Sequence, residues 1–132
     1  MRRNMALIRR ILLFIEGSED SKIFTSDIAK AIHEHPPREV AHHWRLAWDA
    51  EFIAITTEAD EAGFNRQAAR LTMKGHDFLS IVRNSDAWNT VRTLIKKKTG
   101  DYEVPVDVLI PLMKNAQGIS VSAFADFLVK QS

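Results

Sequence analysis

The stretch that most restricts what this chain can become runs from Pro36 to Arg83, and it opens on two prolines. The residue before a proline resists the α conformation, while proline suits the first position of a helix. His33 to Pro36 therefore stops one helix and Pro37 starts the next, which the apolar spacing carries to Ala50. Phe52 to Thr57 is then rich in β-branched residues, and Asn65 to Leu71 can pair with it across an acidic turn, Glu58 to Gly63. A further helix opens at Thr72, a competent N-cap. Helix, β-ribbon, helix is the second half of a winged helix-turn-helix. The expected fold is mainly α with a small β-ribbon (α+β): a winged helix-turn-helix carrying a C-terminal helical extension.

The flanking segments fit that frame. Met5 to Glu16 reads as a first helix capped by Asn4, with Leu7 or Ile8, Ile11, Leu12 and Ile15 as its core stripe and Arg2, Arg3, Arg9 and Arg10 off it. Those arginines belong on a solvated surface, or against phosphate near the helix start. Gly17 to Ser21 is a polar turn. A short second helix begins near Thr25 or Ser26, either of which can cap it, and turns Ile28, Ala29 and Ile32 inward. In the third helix Val40, Ala41 or Trp44, Ala47 and Trp48 can face the core, leaving Arg38, Glu39, His42, Arg45 and Asp49 outside. Gly75 costs helix stability, which a close approach of that helix to a strand or to the first helix would explain. Residues 1–83 form the expected winged-helix domain and 84–132 the extension, which packs on it or mediates a homodimer. Within the extension, Ser85 to Lys98 is a helix capped by Ser85 or Asp86, with Lys96, Lys97 and Lys98 complementing its dipole. Pro105 to Lys114, divided or kinked at Pro111, and Ser120 to Lys130 are two shorter ones, the former turning Val108, Leu109 and Leu112 inward.

Composition removes several alternatives. The 132 residues include no cysteine, so disulfides and thiolate metal sites are excluded, consistent with a reducing, cytoplasmic setting. No apolar run is long enough to cross a bilayer, and Arg9 and Arg10 interrupt the one that imitates a signal peptide. The 18 Lys and Arg against 17 Asp and Glu provide no overall field to attract nucleic acid. Any DNA contact must come from local placement. In the third helix Arg38 and Arg45 can bond guanine edges and His42 can donate or accept in the major groove, and alternation along the second strand places Arg66 and Arg70 on one face, toward phosphates or the minor groove. The acidic tip and the carboxylates of Glu39, Asp49 and Glu51 oppose this. Two readings follow: a small DNA-binding regulator of double-stranded DNA, or a protein-interaction module that keeps the winged-helix shape and uses its acidic wing and exposed aromatics to hold a protein partner.

Neither metal nor catalytic chemistry has a pattern here. His42 and His43 are neighbours on a helix, about 100° apart, and cannot easily grip one ion, and no His-Glu-x-x-His spacing occurs. His76 reads as a packing residue bonded to a backbone carbonyl. No phosphate-cradling glycine loop, nucleophile elbow or cysteine nucleophile is present, so no enzyme and no cofactor are expected.

Two blocks, Arg2 to Glu16 and Arg70-Leu71-Thr72-Met73-Lys74-Gly75-His76-Asp77-Phe78-Leu79-Ser80-Ile81-Val82-Arg83-Asn84 followed by Trp88, resemble an uncharacterised bacterial and prophage family, a domain of unknown function with an expected winged-helix fold. Val40-Ala41-His42-His43-Trp44-Arg45-Leu46, with Ala50 and Phe52-Ile53, is similar to its middle block. The resemblance covers most of residues 1–98, and its Leu-Thr-x-x-Gly core recurs in many winged-helix regulators. It implies a phage or mobile-element setting and no established activity. This chain departs from the pattern at Trp44 and Trp48, where smaller aliphatics are usual.

Overall fold

In a computed structural model, which describes residues 1–19 and 22–118, the chain begins with α1 (Met5–Gly17). Asn4 caps it as expected: its Oδ1 accepts from the amides of Ala6 (3.0 Å) and Leu7 (3.3 Å), which the first turn leaves without helical partners. Met5, Leu7, Ile8, Ile11, Leu12 and Ile15 are all buried, and this stripe is the spine of the core. Each such side chain contributes roughly 1.5–3 kcal/mol when removed from water. Ser18 closes the helix by donating from Oγ to the Ile15 carbonyl (2.6 Å).

A strand that local sequence did not announce comes next. β1 (Lys22–Phe24) pairs antiparallel with β3 (Asn65–Leu71), which also pairs with β2 (Ile53–Ala59), so the expected two-stranded ribbon is a three-stranded antiparallel sheet in the order β1-β3-β2. Its register sets Lys22 opposite Arg70 and Phe24 opposite Ala68, with Ile53 opposite Leu71 and Glu58 opposite Arg66. Between β1 and the ribbon lie α2 (Thr25–Ala31) and α3 (Pro37–Asp49). Neither Thr25 nor Ser26 caps α2. Phe24 occupies the N-cap position with no side-chain bond, and the buried Thr25 donates instead to the Gln67 carbonyl (3.4 Å) on the sheet. α1 packs on α3 and β3, and α2 packs on the same two elements.

The join from α3 to the ribbon is tightly specified. After Ala50 the chain takes a left-handed residue, Glu51 (φ 65°), the one non-glycine with positive φ among the described residues. Glu51 N–H donates to the Trp48 carbonyl and Phe52 N–H to the Ala47 carbonyl, each at 2.9 Å, the paired bonds of a Schellman ending in a position that glycine usually fills. Thr72 then staples the join. Its Oγ1 donates to the Glu51 carbonyl and accepts from Gly75 N–H (3.0 Å), capping α4 (Met73–Val82). The glycine in this helix is explained by Phe52: a Cβ at Gly75 would lie 2.0 Å from the Phe52 carbonyl oxygen. The Phe52 and Phe78 rings stack beside this contact at 4.4 Å. His76 is exposed, so it is not the packing residue its block suggests.

The chain divides into two compact units, Met1 to Leu79 and a second beginning at Ser80. In the second, α5 (Ser85–Thr99) is capped one residue earlier than expected, by Asn84, whose Oδ1 accepts from Ala87 N–H (2.9 Å). Ala87, Trp88, Val91 and Ile95 are buried, and Gly100 in the left-handed region ends the helix. α6 (Val106–Ala116) runs unbroken through Pro111 and buries Leu109 and Met113, while Val108 is exposed rather than inward. The helix expected over Ser120 to Lys130 lies outside the described residues.

Candidate nucleic-acid interface

The outer side of α3 is built by its spacing. Val40, His43, Trp44 and Ala47 are buried, which leaves Arg38, His42 and Arg45, at i, i+4 and i+7, along one stripe on the other side. Arg38 and Arg45 are exposed and His42 half-buried. Neither arginine forms an ion pair among the described residues; Arg45 only leans over the Trp44 ring, 5.3 Å from its centroid. The two residues stand two turns apart, about 10 Å along the axis. The carboxylates expected to cancel them are partly engaged elsewhere: Glu39 is 3.2 Å from His35 Nδ1, and Glu51 is 3.8 Å from Lys74 Nζ.

One inward position differs from the expectation. Trp48 is 46% exposed, and the position it was expected to share in the core is held by His43, which is fully buried. His43 can be buried because both ring nitrogens are bonded: Nδ1 to the Glu39 carbonyl (2.8 Å), which requires the proton there, and Nε2 as acceptor from Asn4 N–H (2.8 Å). The histidine thus ties the start of α1 to the middle of α3. Nothing local signals this, since the partner is 39 residues away.

The wing carries the two other candidates in different surroundings. Arg70 is exposed, opposite Lys22 and Ala54, and has no ion pair among the described residues. Arg66 is expected to stand beside Arg70 as a phosphate contact, and the structure instead directs its guanidinium inward to Ser26 Oγ, Asp27 Oδ1 (3.2 Å) and Asp60 Oδ2 (4.0 Å), above the Phe24 ring. The guanidinium also offsets part of the negative charge at the tip. Asp60 Oδ1 accepts from Ala62 N–H (3.0 Å) and Phe64 N–H (2.9 Å), forming the turn itself, and Glu58 lies 3.0 Å from Lys22 Nζ. Of the three carboxylates at the tip, Glu61 alone has no ion pair among the described residues.

Of the arginines near the start of the chain, Arg10 pairs with Glu34 at 2.7 Å and holds that carboxyl below its ordinary pKa. Burial lowers the pKa of Arg9. In the second unit Lys96 Nζ donates to the Gly100 carbonyl (2.9 Å), the helix-end role expected of the lysine run. Among the described residues no three His, Asp or Glu side chains converge as a metal site, and no helix is long and apolar enough to cross a membrane.

Comparison with known proteins bears on the fold. The family model described as "Hypothetical protein (DUF2513)" matches residues 2–101. An uncharacterised protein of Haemophilus influenzae is 31% identical over 104 residues, covering 79% of this chain and 86% of that protein. Among solved structures, a PadR-like transcriptional regulator from Bacillus cereus aligns with a TM-score of 0.56 at 16% identity, over 70% of this chain and 90% of the other. AbsC, a MarR family transcriptional regulator from Streptomyces coelicolor, aligns with a TM-score of 0.50 at 20% identity, over 97% of this chain and 76% of the other. At such identities the likeness establishes the winged-helix fold.

Proposed function

We propose that this chain, which belongs to the DUF2513 family, is a small winged-helix regulator that binds double-stranded DNA through the outer face of α3. The observation that carries the reading is the stripe of Arg38, His42 and Arg45, its two arginines exposed and without an ion pair among the described residues and its histidine half-buried between them, on the helix that a helix-turn-helix lays in the major groove. In this reading Arg38 and Arg45 bond guanine O6 and N7, His42 bonds a base edge between them, and Arg70 holds phosphate from the wing. The phage or mobile-element setting implied by the sequence resemblance gives such a regulator its context.

A second reading has its own observation. Trp48 and Phe64, the latter 71% exposed, are large apolar side chains in solvent on α3 and at the wing tip, which suits a protein partner. Titrating the full chain with random-sequence duplex at two salt concentrations separates the two. A DNA binder shows affinity at micromolar protein that falls as salt rises, by about 0.9 in the log-log slope for each phosphate neutralised. Absent or salt-indifferent binding overturns the DNA reading and leaves the protein partner.

A further inference from the structure

Two segments of the first unit about 40 positions apart, residues 24–27 and the wing, meet at one guanidinium. Arg66 on β3 donates to Ser26 Oγ and to Asp27 Oδ1 (3.2 Å) at the start of α2, lies 4.0 Å from Asp60 Oδ2 at the wing tip, and sits 4.2 Å from the centroid of Phe24 at the end of β1. Its side chain is 30% exposed, so much of its planar fork faces protein. Asp60 completes the arrangement: one oxygen holds the tip backbone together and the other faces Arg66.

We propose that Arg66 is a positioning residue that clamps the outer half of the wing to α2 and so sets the angle at which the tip meets a duplex held by α3. The inference rests on the DNA reading above. Beyond β1, which pairs only as far as Ala68, the wing is a two-stranded ribbon that bends easily on its own, and single half-exposed ion pairs hold little. Two hydrogen bonds, a second carboxylate and a ring face converging on one rigid group fix a direction that none would fix alone. Clamp and contact differ in sign at Asp27. Removing Asp27 frees a cation that would strengthen binding if Arg66 touched phosphate, whereas it loosens the wing if Arg66 is a clamp.

The test uses the full chain with R66A, D27A and the double variant. In the free protein, amide exchange at Ala62 and Phe64, whose N–H groups bond Asp60, should quicken in both single variants, and the double should be no faster than R66A. On a duplex selected from a random pool by the parent chain, both single variants should bind about fivefold more weakly and the double no worse than either. Hydroxyl-radical protection should fade on the wing side of the footprint and persist under α3, a selective loss that general destabilisation does not produce. Tighter binding by D27A, additive losses in the double, or unchanged tip exchange overturns the clamp. A parent that binds no duplex overturns the DNA reading and this inference with it; a parent that binds while its variants match it overturns the clamp alone.

Discussion

The outer face of α3 and the wing each carry two candidate arginines, and the fold treats them differently. On α3 both Arg38 and Arg45 face solvent without an ion pair among the described residues, their acidic neighbour Glu39 drawn to His35. On the wing Arg70 is exposed, but Arg66 is bound to Ser26 and Asp27 and faces Asp60. Counting residues makes the chain nearly neutral as a whole; the structure separates charges that face solvent from charges that hold the protein together. A balance of 18 basic and 17 acidic side chains therefore says little about where an anion could dock.

The largest test of this comparison strikes the joint that both regions share. Gly75→Ala drives a methyl into the Phe52 carbonyl, an overlap that only backbone movement relieves, and should cost about 3 kcal/mol by urea unfolding while weakening contacts from α3 and the wing alike. His43→Leu acts on one side only. It leaves the Asn4 amide and the Glu39 carbonyl without their side-chain partner, costs about 2 kcal/mol, and should speed amide exchange in α3 while the wing tip keeps its protection.

Finer variants address the two faces separately. Arg45→Ala should cost about 1.5 kcal/mol on a selected duplex and relax preference at one base position. Arg70→Ala should weaken all duplexes alike and lower the salt slope by about 1, with the base preference intact. If the two variants behave identically, base readout by α3 and phosphate contact by the wing are not distinct. The smallest effect has the opposite sign. Glu51→Gly removes a left-handed side-chain strain at the link between α3 and the ribbon and should raise stability by up to about 1 kcal/mol, read from the thermal midpoint.

Where an element's cause is local, the sequence displayed it. Asn4 before an apolar stripe, Pro37 at a helix start, and the β-branched run from Ile53 each carry their own signal, and the Leu71-Thr72 to Gly75 block marks a cap and a close approach. What escaped depended on distant partners. β1 has three residues, too few for alternation to register, and is a strand only because β3 offers it hydrogen bonds. His43 takes an inward place expected of Trp48 because an amide from the start of α1 satisfies its second nitrogen. The candidate site divides the same way: the stripe on α3 follows from helical spacing, whereas the inward turn of Arg66 depends on Ser26 and Asp27, about 40 positions earlier.

The indole of Trp48 has a practical consequence. It stands one turn beyond Arg45, about half open to water, while Trp44 and Trp88 are 7% and 5% exposed. Whatever covers this helix should shift or quench the emission of that single chromophore against a steady background, giving the chain an intrinsic optical gauge of occupancy that needs no attached dye.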